Sequence, residues 1–180
     1  MAYSLESSLK SYPPALSSDG FKLSLVGKQI TTIGKLPPSI ARNIKVLYIS
    51  NNSLKSLNGI DQFSQLKSIS CANNNIKFLG DLKYLSACHC LEKVSFLGNI
   101  VTAMPYYREY IISICPNIIS IDSINVLWKE KIDSKSSSTK AQLYYDQLRL
   151  NDLRNCILRH IQKLVTCHEE LNTTVFGRFR

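Results

Sequence analysis

Cys88, His89 and Cys90 stand in consecutive positions, and a run of two thiols and an imidazole is the first place to look for zinc. A structural zinc site takes four ligands, normally as two spaced pairs, and no CxxC partner accompanies this run. The run reads instead as part of a folded turn with Cys88 packed inward, so no metal ligand and no cofactor-binding residue is assigned. Cys71, Cys115, Cys156 and Cys167 bring the cysteines to six. The N-terminus, MAYSLESSLKSYPPALSSDG, lacks the basic start and apolar block of a secretory signal. The six are therefore read as free thiols of a reducing compartment, not as a disulfide framework. Nucleophile chemistry finds no more support, because GxSxG, GxxxxGK[ST] and HExxH are all absent. His89, His160 and His168 have no serine and carboxylate in a triad-like arrangement, and Glu169-Glu170 reads as a solvated helix face. The expectation is a protein that is not an enzyme and has no catalytic residue.

Binding is what remains, and charge limits the partner. The 180 residues carry a formal charge of +9. Residues 1–126 hold 12 Lys/Arg against 7 Asp/Glu, and residues 127–180 hold 10 against 6, so the excess is +5 and +4. Basicity this evenly spread suits an acidic partner, but it lacks the dense cluster of a nucleic-acid footprint. Direct nucleic-acid binding is accordingly the weaker expectation and a protein partner the stronger. With 44% hydrophobic and 19% charged residues the chain has the composition of a folded protein, not of a disordered one. No apolar run approaches the ~20 residues that cross a bilayer, so no membrane partner is expected.

The elements that would present such a surface come from an internal repeat. Ile44, Leu47, Ile49, Asn52, Leu54 and Leu57 fill the pattern L-x-x-L-x-L-x-x-N-x-L-x-x-L. Leu66, Ile69, Cys71, Asn74, Ile76 and Leu79 repeat it, and Leu91, Val94, Phe96, Asn99, Val101 and Met104 repeat it again. A weaker first copy runs through Leu23, Leu25, Ile30 and Ile33, with Lys28 in the asparagine position. In each copy the L-x-L triplet predicts a short strand whose apolar residues point inward. The asparagines leave the strand at a turn, where their amides can pair backbone groups of adjoining coils that would otherwise be buried and unbonded. That role explains them fully, and they are not assigned to a site.

These repeats resemble the leucine-rich-repeat family, and the stretch after them resembles the C-terminal cap of its cytosolic and nuclear members. The cap resemblance rests on Asn99, Val101, Tyr107, Arg108, Tyr110, Ile111, Pro116, Ile118, Ile121, Asp122 and Val126. Relatives with such caps include centriolin-type centrosomal proteins, the leucine-rich light chain of outer-arm dynein, a phosphatase-1 regulator and the spliceosomal A-prime protein. Ile100 departs from the proline expected after Asn99. The implied fold is α/β: a short solenoid with parallel strands on its concave side and a helical cap. Tyr106 to Cys115 reads as the cap helix, stopped by Pro116, and Arg108 is expected to hold structure more than to contact a partner.

Segments follow from this. Residues 1–19 would cap the first coil, with Leu5, Leu9 and Tyr12-Pro13-Pro14 covering it. Residues 20–126 form the capped solenoid, 132–140 a serine-rich linker, 141–171 a long amphipathic helix and 172–180 a tail. In the helix, Leu150, Leu153, Ile157 and Leu164 lie on a heptad seam with Leu143, Cys167 and Leu171, interrupted by Asp146 and His160. Leu158, Ile161 and Val165 add a second stripe, so a coiled-coil homodimer and a helix laid on another body both stay open.

Positions alternating with the buried strand residues face outward: Lys22, Ser24 and Val26; Val46, Tyr48 and Ser50; Ser68, Ser70 and Ala72; Lys93, Ser95 and Leu97. A small, weakly polar floor with one tyrosine suits a helix or an extended segment. The residues nominated for partner contact are Lys22, Val26, Val46, Tyr48, Ser70, Lys93, Ser95 and Leu97. The resemblance and the following helix together imply a scaffold of the microtubule cytoskeleton (centrosome, basal body, axoneme or spindle) in the cytoplasm. The alternative is a nuclear, A-prime-like protein that holds an RNA-binding-domain partner. A phosphatase regulator fits less well, because only four coils precede the cap.

Overall fold

The computed structural model describes residues 3–5, 7, 16–134, 147, 150–151 and 153–166. They fall into two units, residues 1–141 and 142–180. In the first, each apolar triplet becomes a strand. The strands are β1 (Tyr3–Ser4), β2 (Lys22–Ser24), β3 (Ile30–Thr32), β4 (Val46–Tyr48), β5 (Ser68–Ser70), β6 (Lys93–Ser95), β7 (Ser120–Ile121) and β8 (Ile124–Asn125). β2, β4, β5, β6 and β7 pair side by side in parallel, and β8 closes the sheet antiparallel to β7. Register is unbroken, so Leu23, Leu47, Ile69, Val94 and Ile121 form one buried row across the sheet. A one-residue slip would turn that whole row to solvent, which is why the alternating pattern fixes the pairing.

The chain leaves each strand through a left-handed residue: Gly27, Asn51, Asn73 and Gly98 have φ of 67°, 57°, 53° and 74°. Glycine and asparagine take this conformation most readily. Gly98 has a second reason, because a Cβ there would run into the Asn73 side chain. One residue later come the asparagines of the repeat, Asn52, Asn74 and Asn99, all buried. Asn52 Oδ1 accepts from the backbone N–H groups of Lys28 (2.9 Å) and Ile30 (3.0 Å), and its Nδ2 donates to the carbonyls of Leu25 (2.8 Å) and Ile49 (2.9 Å). Asn74 and Asn99 repeat the paired donations one and two coils on, with each Oδ1 accepting from one N–H, that of Leu54 and of Ile76.

The convex side returns through short helices: α1 (Pro38–Ala41), 3₁₀ turns at Ile60–Gln62, Leu79–Ala87 and Ile100–Ala103, and α2 (Tyr107–Ile114). A second buried column runs here, through Ala41, Phe63, Cys88 and Cys115. Each accepts at its carbonyl from the N–H three residues ahead, Ile44, Leu66, Leu91 and Ile118, which launches the next coil. Cys88 packs in this column as the sequence implied. Phe63 is its only large member.

At the N-terminal end β1 pairs in parallel with β3, Leu5 is fully buried, and Leu16 bridges to Leu23. Leu9 and Tyr12-Pro13-Pro14 lie outside the described residues. After β8 the chain enters a helix, α3 (128–134), which passes through positions 132–134. The serine-rich linker was expected to begin at 132. Glu130 explains the difference, because its carboxylate reaches back to the N–H of Leu127 (2.8 Å) and caps the helix at its start. In the second unit, 153–166 is helical. Leu143, Asp146, Cys167 and Leu171 of the heptad seam lie outside the described residues, as do positions 135–140 of the linker and the tail, 172–180. No helix among the described residues is long and apolar enough to cross a membrane.

Candidate protein-binding face

Three columns of side chains cross the open face of the sheet. Lys22, Val46, Ser68 and Lys93 form the first, Ser24, Tyr48, Ser70 and Ser95 the second. Val26, Ser50, Ala72 and Leu97 follow just past the strand ends. The eight nominated residues all lie on this face: Lys22, Val26, Tyr48, Lys93 and Leu97 are exposed, and Val46, Ser70 and Ser95 are half-buried. Tyr48 is 41% exposed and rises from neighbours no larger than serine on the Ser70 side. The floor is held internally, with the Ser50 and Ser70 hydroxyls 2.9 Å apart and the Ala72 N–H donating to Ser50 Oγ at 3.2 Å. Val26 and Leu97 stand at opposite ends of the third column, three strand spacings or about 14 Å apart. The result is a shallow trough with apolar ends, small side chains between them and one aromatic.

The rim along the strand starts is partly neutralised. Lys45 Nζ sits 3.9 Å over the Phe21 ring, and Lys67 pairs with Glu92 at 3.1 Å. Both contacts are exposed and contribute little to stability. No histidine or carboxylate lies among the twelve trough positions to activate a serine, so the face can bind but has no base for acyl or phosphoryl chemistry.

The Cys88-His89-Cys90 run does not converge. Cys88 Sγ points into the core toward the Ile60 carbonyl (3.7 Å), whereas His89 is exposed. Among the described residues no three His, Cys, Asp or Glu side chains gather as metal ligands. Burial pushes the thiols of Cys71 and Cys115 up to about 12 and that of Cys88 up to about 11, where Asp61 adds to the effect. Only the thiolate reacts readily. A disulfide reagent at neutral pH should therefore label Cys156, which is exposed, and half-buried Cys90, leaving Cys71, Cys88 and Cys115 intact until unfolding. Mapping by mass spectrometry reads this directly, and fast native labelling of Cys71 would contradict the burial argument.

Arg108 is structural, as expected. Its guanidinium bonds Glu130 (2.6 Å from Nε) and the Asn125 carbonyl (2.8 Å), tying α2 to β8 and α3. That pairing and the Leu127 N–H hold the Glu130 carboxyl below its ordinary range. Tyr107 donates its hydroxyl to Asp122 (2.8 Å), and burial together with the Asp122 charge pushes that phenol far up. Asp122 in turn accepts from the Phe96 N–H (2.7 Å). Sequence reasoning missed Glu130, whose signal was its place three residues after Leu127. It also missed an apolar group on the cap, Ile124, Leu127 and Trp128, the last 75% exposed.

The family model for leucine-rich repeats matches residues 17–146. The chain is 34% identical over 100 residues to the probable U2 small nuclear ribonucleoprotein A′ of Caenorhabditis elegans, covering 54% of this chain and 39% of that protein. It is 24% identical over 118 residues to dynein axonemal assembly factor 11 of Trypanosoma brucei brucei, covering 53% and 31%. Among solved structures, a chain of the Drosophila melanogaster SNF/U2A′ complex matches with a TM-score of 0.54 at 22% identity, covering 69% of this chain and 86% of that one. The chain thus spans well under half the length of these two curated relatives, and the solved structure agrees with the solenoid as a fold. On the repeat, its register and the matched span, this chain belongs to the leucine-rich repeat family.

Proposed function

We propose that the chain is a non-enzymatic scaffold that holds a helix or extended segment of a protein partner in the trough of its sheet. Lys22, Val26, Val46, Tyr48, Ser70, Lys93, Ser95 and Leu97 make the contacts. The observation that carries this reading is Tyr48, a large amphipathic side chain left projecting over an otherwise small and internally bonded floor. Aromatic side chains in such settings dominate interfaces. The partner we infer is a protein of a small nuclear ribonucleoprotein, with the chain in the nucleus; the likeness to the C. elegans A′ protein supports this reading. RNA would then be held chiefly by the partner, with Lys22 and Lys93 adding salt-sensitive attraction.

Co-precipitation of U2 small nuclear RNA with the tagged chain tests the assignment. Recovery of that RNA supports it; recovery of axonemal or centrosomal proteins without the RNA would overturn it. The second outcome is the cytoskeletal scaffold, for which the T. brucei assembly factor is the supporting likeness. Whichever partner is captured, Tyr48→Ala should weaken its capture by about tenfold or more. The thermal midpoint should move by less than about 4 °C, as for a surface truncation. Capture unchanged by the substitution would exclude the trough as the binding face.

A further inference from the structure

The trough leaves unexplained the helix at 153–166. Leu153, Ile157, Leu158, Ile161, Leu164 and Val165 are all exposed, as is Leu150 just before it. At 100° per residue these side chains occupy one arc, well over a third of the helix circumference, and they are exposed among the described residues. The same span holds Arg154, Arg159 and Lys163 and not one Asp or Glu. Arg154 is placed unusually. It lies four residues after Leu150, three before Ile157 and four before Leu158, so helical neighbours on the apolar arc flank it on both sides.

This arrangement discriminates among occupants. A second copy in parallel register would set Arg154 against its own counterpart, with no carboxylate in 153–166 to pair either and the seam's one carboxylate, Asp146, about two turns away. A lipid surface favours Trp or Phe on the apolar face and cations on the polar face. Arg159 and Lys163 do lie on the polar face, but 153–166 contains no aromatic residue, and Arg154 stands inside the apolar arc, where a lipid surface offers it no fixed carboxylate. A buried guanidinium calls for a carboxylate, which it can bind with two parallel hydrogen bonds.

We propose that this helix docks in an apolar groove lined with carboxylates on a helical protein of the calcium-loaded EF-hand sensor kind, with Arg154 paired to a groove carboxylate. Such grooves are flexible, acidic and adapted to amphipathic helices with aliphatic contact residues. The proposal stands whether or not the trough reading does.

The probe is calcium-loaded calmodulin, titrated calorimetrically with the full 180-residue chain. One-to-one binding that disappears in excess chelator is expected, and Ile157→Asp and Arg154→Glu should each weaken it by at least about tenfold. Arg154→Lys, which keeps the charge but not the two parallel hydrogen bonds, should bind more tightly than Arg154→Glu and more weakly than the parent. Because Ile157 and Arg154 are exposed, circular dichroism of the variants should match that of the parent. Absence of binding in calcium, or binding indifferent to both substitutions, overturns the proposal. It is equally overturned if, without calmodulin binding, the chain co-sediments with vesicles of phosphatidylserine and phosphatidylcholine, or forms a dimer that Ile157→Asp dissociates.

Discussion

Asn52→Ala is expected to lower the unfolding free energy by about 4 kcal/mol, because one side chain serves five buried or half-buried backbone groups. The Ile30 N–H would be left without an acceptor inside the fold, and the Leu25 carbonyl would lose its donor. Each orphaned group costs about 1–3 kcal/mol, and the remaining lost bonds about 1 kcal/mol apiece. The Lys28 N–H is half-exposed and can turn to water, which keeps the total from rising further. Asn74→Ala should cost less, about 3 kcal/mol, since the Ile49 and Cys71 carbonyls each keep a second donor in Asn52 and Asn99. Asn52→Asp separates the two halves of the amide's work. It retains the acceptor and loses both donors, setting a carboxylate against carbonyl oxygens, so it should be no more stable than alanine. Urea unfolding of the three variants measures the series, and an Asp variant as stable as the parent would contradict the assignment of the amide donors.

Phe63→Ala should cost about 3–5 kcal/mol, the range for emptying a fully buried aromatic site. Its column explains why the void would persist. Ala41 on one side and Cys88 on the other are too small to move in, and the backbone around Phe63 is held by the Phe63 to Ile60 and Leu66 to Phe63 hydrogen bonds, both 3.1 Å. Cys88→Ala, one coil away, removes only a sulfur and should cost about 1 kcal/mol or less. In a solenoid each coil rests on its neighbours, so the Phe63 variant should expose amides of the second and third coils to hydrogen exchange before those of the cap. Uniform loss of protection along the chain would mean that the coils unfold as one block.

The solenoid was legible in the sequence because two constraints repeat together. Apolar residues alternate over each strand triplet, and an asparagine follows three residues after the last of them. The open face followed from the same alternation: Tyr48 is exposed because Leu47 and Ile49 are not. What the repeat could not convey lies where it stops. Glu130 clamps Arg108 across 22 positions, a pairing that no periodicity announces. The helix through 132–134 looked like the start of a polar linker because its cap residue, Glu130, acts on the backbone and not through an apolar stripe. Partner identity was not legible at all, since a trough of serines with one tyrosine states a shape and an affinity for apolar surface but no sequence to recognise. The resemblance and the following helix together implied the cytoskeleton, and the likenesses found include both a ribonucleoprotein component and an axonemal assembly factor.

Asp122 has a consequence for how such a chain changes length. In every earlier coil the first N–H beyond the strand is taken by a main-chain carbonyl of the next strand: Leu25 by Tyr48, Ile49 by Ser70 and Cys71 by Ser95. At Phe96 the side chain of Asp122 takes it instead, while the backbone at Asp122 and Ser123 turns left-handed (φ 52° and 67°) and folds β8 back on the edge. A sheet that ends this way has no in-register template for another parallel strand. A coil added to this chain could join the sheet only upstream of that point, so the arc lengthens from within while this end stays finished, closed to stacking with its own kind.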